Sequence, residues 1–301
     1  MVNHNPYINA LIRSFPQFDI QSFHILGEGM MSIVFEVNNE WAFRFAKNHQ
    51  GSLDLEKEIK VLPYIESTVS LSVPHFDFVG KQENGLYLVG YKKLGGMLLE
   101  EHSITTFSKA EVQSLVQSLS LFIKQMQSIP VEVARERGVP AISLKTKILE
   151  LDQEVKEKVF PRLDEKTRSY VSSRFQAYLN SKDYHDYQPT FIHGDLSPNH
   201  FLVDHETKKL TGIIDFGDMC ISDPDYELIY ILEDCGKEIT RDLLSSLEES
   251  KVEDRLKKIS CFVTFDQLRY IIEGLNRSDR TWIQEGLTEL KREMQENRDE
   301  C

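Results

Sequence analysis

Cysteine is scarce in this chain of 301 residues, and the four present, Cys220, Cys235, Cys261 and Cys301, are scattered. Without paired spacing they fit neither a zinc site nor a dithiol redox motif; they are read as reduced and structural, with Cys301 a loose terminal thiol. Long apolar runs are missing too. The opening MVNHNPYINALIRSFPQF has no stretch of signal-peptide length, and nothing approaches the roughly 20 apolar residues of a membrane span. A cytoplasmic protein with no membrane partner is expected. Positive charge is in deficit: 35 Lys and Arg against 48 Asp and Glu leave a formal charge of -13. Such a field repels polyanions and attracts cations, which argues against a nucleic-acid partner. HxE and HExxH zinc patterns are also absent.

What is present is the balance of a globular protein, 41% apolar and 28% charged. At this length one large core or two cooperating lobes can form. From Ser22 to Lys93 the runs SFHILG, SIVFEV, WAFRFA, HFDFVG and LYLVGYKK alternate with breaks at Asn38-Asn39 and Glu83-Asn84-Gly85, as in an antiparallel sheet. One helix, Ser52 to Glu66, interrupts it, with Leu55, Ile59 and Leu62 on one face. After Gly95-Gly96 the period becomes helical over Lys109 to Met126, Leu144 to Val159 and Glu165 to Leu179. Two short apolar strands in FIHGDLSPNHFLVD and LTGIIDFGD follow, and the remainder from Pro224 is helical, with Asp223 and Pro224 suited to an N-cap and first position. The expected class is α+β: an N-terminal antiparallel sheet lobe with one helix over 1–91, a hinge over 92–97, and a mainly α-helical lobe over 98–301.

Chemistry concentrates in His193-Gly194-Asp195-Leu196-Ser197-Pro198-Asn199-His200 and Ile213-Ile214-Asp215-Phe216-Gly217. Phosphoryl transfer needs one carboxylate to orient a hydroxyl and accept its proton, and another to hold the metal that neutralises phosphate charge. Asp195 suits the first role and Asp215 the second. Gly27-Glu28-Gly29-Met30-Met31-Ser32 joins two predicted strands and suits a loop covering phosphates with its amides, Ser32 adding a hydroxyl; by itself it reads equally well as a hairpin turn. On the strand WAFRFAK, Arg44 is the expected partner of Glu58 and of the nucleotide phosphates, because its planar fork bridges a carboxylate and a phosphate. Lys47 falls on the opposite side and is read as a solvated edge charge. His193 is read as a hydrogen-bonding residue of the catalytic loop.

Together with LGEG at 26–29 and TGIIDFGDMCISDPDYE at 211–227, these segments make nearly the whole chain resemble the aminoglycoside phosphotransferases of the protein-kinase-like fold, most closely the aminoglycoside 2''-phosphotransferases. The resemblance implies a monomeric antibiotic-resistance kinase that uses Mg2+ and transfers a phosphate from GTP or ATP to a sugar hydroxyl of a cationic aminoglycoside. It assigns the metal to His200 and Asp215, with Asn199 as the alternative because hard cations prefer oxygen. It makes Tyr91 a gatekeeper that favours GTP, beside hinge backbone at Lys92, Lys93 and Leu94. Ser197 and Asp218 match positions near the acceptor.

From Asp218 to Glu238 the chain gathers Asp218, Asp223, Asp225, Glu227, Glu233, Asp234 and Glu238 against Lys237 alone. Asp223 and Asp225 fit the start of a helix. Asp218, Glu233, Asp234 and Glu238 are the expected contacts of a polycationic sugar, against the plainer reading of a solvated helix face. Phe262, Phe265, Tyr270 and Trp282 wall such a site or belong to the core. Other acceptors on the same fold (choline, a macrolide, a ketosamine) and a silent nucleotide-binding module are the competing functions. Asp215 to Pro224 is too short for a protein kinase's activation segment.

Overall fold

A computed structural model describes residues 5–99 and 103–296; Cys301 lies outside them. In chain order the elements are α1 (Pro6–Ser14), β1 (Phe23–Glu28), β2 (Ser32–Val37), β3 (Trp41–Ala46), α2 (His49–Glu66), β4 (Phe78–Lys81), β5 (Tyr87–Lys92) and β6 (Met97–Leu98). There follow α3 (Lys109–Gln127), α4 (Val131–Glu136), α5 (Leu144–Lys158), α6 (Glu165–Asn180), β7 (Thr190–Ile192), β8 (Phe201–Val203), β9 (Leu210–Ile213) and β10 (Cys220–Ser222). The chain closes with α7 (Ile229–Leu247), α8 (Val252–Arg277) and α9 (Arg280–Glu296).

Two compact units result. One comprises Met1–Pro140, His193–Asp195 and Asn199–Cys220; the other comprises Ala141–Ile192, Leu196–Pro198 and Ile221–Cys301. The first holds the expected five-stranded antiparallel sheet, in the order β1-β2-β3-β5-β4. Its β2–β3 hairpin closes on Asn38 and Asn39, both at φ 57°, the left-handed geometry that asparagine tolerates. Alternation buries Ile33, Phe35, Val37, Phe43 and Phe45 in one cluster. α1 and its C-cap Phe15 seal it: Tyr7 packs tilted against Phe35 and edge-on against Phe45, and Phe15 edge-on against Phe78, with centroids 5.1 to 5.2 Å apart. α2 begins three residues earlier than its apolar period suggests, because the Asn48 side chain accepts from Gly51 N at 2.9 Å and caps it. Its first turn abuts the β1–β2 loop, since a Cβ on Gly51 would lie 2.2 Å from the Met31 carbonyl oxygen. α3 opens on a capping box of Ser108 and Glu111, a device that contributes about 1 kcal/mol. β6, β8 and β9 form a second, three-stranded antiparallel sheet.

The other unit is mainly helical, with α8 at its centre packed against α5, α6, α7 and α9. Phe175, Tyr178, Phe262 and Phe265 pack face and edge there, so Phe262 and Phe265 are core; Tyr270 and Trp282 stack on each other at 4.9 Å. Asp223 caps the turn at Pro224–Leu228 through Asp225 N at 3.0 Å. Asp225 instead pairs with Arg255 at 2.7 Å and Lys258 at 3.2 Å. Among the described residues, no helix is long and apolar enough to cross a membrane.

Candidate active site

The two motif loops meet at one end of the β8–β9 ladder, in which Phe201, where the first loop ends, faces Ile213, where the second begins, and Leu202 faces Gly212. Ile214 N donates to the His200 carbonyl at 3.0 Å and keeps the loops in step. His193 is wholly buried, 4.6 Å from the Phe216 ring. Its Nε2 donates to the Ile214 carbonyl at 3.2 Å and its Nδ1 accepts from Asp195 N at 3.3 Å. Burial, reinforced by His200, pushes its pKa down to about 3, so the ring stays neutral and sets the entry angle of the Asp195 loop. Gly194, at φ +84°, lets that loop lie against the next: a Cβ there would stand 2.4 Å from the Asp218 carbonyl oxygen.

His200 stands between the two expected carboxylates. Its Nδ1 donates to the Asp195 carbonyl at 2.9 Å and lies 3.6 Å from Asp195 Oδ2. Nε2 is thereby left with its lone pair, 3.7 Å from Asp215 Oδ2. Asp215 occupies the left-handed region at φ 64°, ψ 67°, an uncommon backbone that persists only where the surroundings fix it. Burial works to raise its pKa, but the Arg44 guanidinium beside it outweighs burial and holds the carboxyl below the usual range. The neighbouring Asn199 is exposed.

Arg44 supplies most of that field. Its Nη1 binds both oxygens of Glu58 at 2.9 and 3.1 Å, and its Nη2 binds Asp215 Oδ1 at 2.9 Å. The pairing read from strand alternation therefore forms and extends to Asp215. Glu58 is 1% exposed; burial pushes its carboxyl up, against the pull of Arg44. Arg44 Nε donates to Ser32 Oγ at 3.0 Å, so this hydroxyl positions the guanidinium rather than reaching out on its own. Tyr91 packs against Phe76 at 5.8 Å, and burial raises its phenol to about 12.

Around Gly27 the space is open, with nothing within 4 Å of an added Cβ. Gly29 N donates to the Ser32 carbonyl at 2.9 Å and closes the turn. Lys47 is exposed at the sheet edge, and there its Nζ binds Glu28 Oε1 at 2.7 Å and the Gly29 carbonyl at 3.0 Å. Lys92 pairs with Glu40 at 3.3 Å and Lys93 with Glu36, so both side chains are spent on the sheet and Leu94, half-buried, follows them. Sequence reasoning missed Lys57, whose Nζ donates to the Gly217 carbonyl at 2.5 Å and the Met219 carbonyl at 3.2 Å. Its place beside Glu58 on α2 was the only signal.

Of the expected acceptor contacts, Asp218 belongs to this unit and is exposed. Ser197, Glu233, Asp234 and Glu238 belong to the other. There Ser197 is buried. Glu233 and Asp234 line a cavity of about 630 Å³ with Gln267, Glu289, Arg292 and Glu293. Glu238 is exposed and outside that lining. The Gln267 amide donates to Glu233, and burial next to Asp266 and Asp234 raises the Glu233 carboxyl to about 8.

A divalent cation fits the first site by its donor chemistry. His200 Nε2 and Asp215 Oδ2 face each other across 3.7 Å, and no group of three metal-ligating side chains occurs among the described residues. The Asp215 carboxylate suits Mg2+, which keeps several waters and takes one or two carboxylates beside substrate phosphates.

A model of the phosphotransferase enzyme family, APH, matches residues 25–255. The chain is 42% identical to APH(2'')-IIIa, solved as its GDP and kanamycin complex, with 97% of this chain and 99% of that one covered and a TM-score of 0.94. The GDP complex of wild-type aminoglycoside 2'-phosphotransferase-IIIa is also 42% identical, covering 97% and 98% with a TM-score of 0.94. A type I macrolide 2'-phosphotransferase shares the fold alone, at 18% identity over 96% and 98% with a TM-score of 0.72.

Proposed function

The chain belongs to the APH phosphotransferase enzyme family, and we propose that it moves the γ-phosphate of GTP, with ATP as the second choice, to a sugar hydroxyl of an aminoglycoside. The observation that carries this reading is His200 between Asp195 and Asp215, with Arg44 fixing Asp215. Asp195 orients the acceptor hydroxyl and takes its proton; His193 and Gly194 set its position. Asp215 Oδ2 and His200 Nε2 would hold Mg2+, which when bound neutralises charge on the phosphates. Arg44, kept in place by Glu58 and Ser32, reaches the phosphates with the loop amides of Gly27 and Gly29.

Tyr91 and the backbone of Lys92, Lys93 and Leu94 are assigned to the purine, with 1–91 as the nucleotide lobe, 92–97 as hinge and 98–301 as the lobe for catalysis and acceptor. GTP is preferred because similar proteins at 42% identity were solved with GDP. Kanamycin in one of them, and the charge of -13 here, support a cationic acceptor contacted by Ser197, Asp218, Glu233, Asp234 and Glu238. The 2'' hydroxyl is the assigned target. Phosphorylation there would confer antibiotic resistance. A cytoplasmic monomer without nucleic-acid or membrane partners completes the reading.

The test is incubation with magnesium and either GTP or ATP across aminoglycosides, a macrolide and choline, followed by phosphorus NMR of the products. A new sugar phosphate on aminoglycosides is expected. Turnover only on the macrolide or choline, or nucleotide binding without turnover, would contradict it.

A further inference from the structure

α2 touches the metal loop twice, through consecutive residues. Glu58 acts through Arg44 on the side chain of Asp215. Lys57 acts on the backbone: its ammonium caps the Gly217 and Met219 carbonyls at 2.5 and 3.2 Å, and its side chain is only 12% exposed. The loop it grips leaves Asp215 in the left-handed region and turns tightly through Phe216–Asp218. Turns of this kind leave carbonyls without ladder partners, and a strained residue holds its geometry only where neighbours over-determine it. The Asp218 carbonyl rests against Gly194. Lys57 holds the carbonyls of the residues before and after Asp218. Asp54, one turn earlier and 3.9 Å away, steadies the ammonium.

We propose that Lys57 is a positioning residue: by holding the Gly217 and Met219 carbonyls it keeps Asp215 Oδ2 turned toward His200 Nε2, and so couples the placement of α2 to metal and nucleotide binding. What the loop holds rests on the phosphotransferase reading. That the loop needs Lys57 does not. A lysine that merely stabilised α2 would change melting temperature and leave metal dependence untouched.

The test uses the full chain and the variants Lys57→Met and Lys57→Arg. Mn2+ binding in the presence of GDP is followed by electron paramagnetic resonance, GDP binding without metal by calorimetry, and exchange of the Phe216 to Met219 amides in metal-free protein by mass spectrometry. In Lys57→Met, Mn2+ affinity in the presence of GDP is expected to fall about tenfold, the lower end for groups that orient metal ligands. Metal-free GDP affinity should stay within about twofold, and the loop amides should exchange about tenfold faster. Lys57→Arg should recover most of the metal affinity. Unchanged Mn2+ affinity with unchanged exchange overturns the proposal. So does a parallel loss of metal-dependent and metal-free GDP binding, which marks general damage. If the unsubstituted protein binds no nucleotide, the phosphotransferase reading fails, and amide exchange alone then judges Lys57.

Discussion

His200 Nε2 lies 3.7 Å from Asp215 Oδ2, while its Nδ1 is committed to the Asp195 carbonyl at 2.9 Å. One imidazole thus ties the backbone of the loop assigned to the hydroxyl to the side chain of the loop assigned to the metal. The bond at Nδ1 also fixes which nitrogen keeps a lone pair. His200→Ala should weaken Mg2+-dependent nucleotide binding about 10- to 100-fold, as removal of a metal-orienting partner does, and lower turnover further by loosening Asp195. Calorimetric titration with GDP, with and without Mg2+, checks it. Equal metal dependence in the variant would remove His200 from the metal site.

Arg44→Met should leave the Glu58 carboxylate buried without its ion-pair partner. Breaking a buried ion pair from one side costs about 3–5 kcal/mol, read as a lower urea midpoint. Adding Glu58→Gln to Arg44→Met should recover part of that loss, because the uncompensated charge is then gone; a double variant less stable than Arg44→Met would contradict the pairing.

Gly194→Ala forces a side chain into a position at φ +84°, 2.4 Å from a carbonyl oxygen. A destabilisation of about 1–3 kcal/mol is expected from the backbone alone, with turnover lost beyond what stability explains because Asp195 is the next residue. Thermal unfolding together with the steady-state rate tests this.

In the second unit the pH sign follows from Glu233, raised from 4.5 to about 8. The folded chain keeps its proton after the unfolded chain has lost it. The contribution to stability is therefore present in full below pH 4.5 and lost as pH rises to about 8. Glu233→Gln should match the original protein near pH 5 and be more stable near pH 9, by about 1–2 kcal/mol. Urea unfolding at both values checks it; equal stability near pH 9 would contradict the raised carboxyl.

Much of this was legible in the sequence because it depends on local rules. Asn38-Asn39 marks a break by its tolerance of positive φ, the spacing of apolar residues from Lys109 marks α3, and strand alternation puts Arg44 rather than Lys47 on the side of Glu58. What was not legible depends on partners brought from afar. Alternation says which side Lys47 takes, not that Glu28 and Gly29 wait there. α1 is short, and its burial depends on residues brought from the sheet, Phe35 and Phe45 among them. Glu238 parts from Glu233 and Asp234 because Gly236, at φ 83° and ψ 174°, breaks α7 between them. An acidic run read as one helix face is thus two.

The central claim is that Asp195 and Asp215 serve one metal–nucleotide complex in different roles. Mn2+ paramagnetic resonance in the presence of GDP, paired with single-turnover transfer from GTP to an aminoglycoside, tests it in Asp195→Ala and Asp215→Ala. The account predicts an intact Mn2+ signal with transfer reduced at least about 100-fold in Asp195→Ala, and loss of both signal and transfer in Asp215→Ala. Transfer at the original rate in either variant, or an unaltered Mn2+ complex in Asp215→Ala, would contradict it.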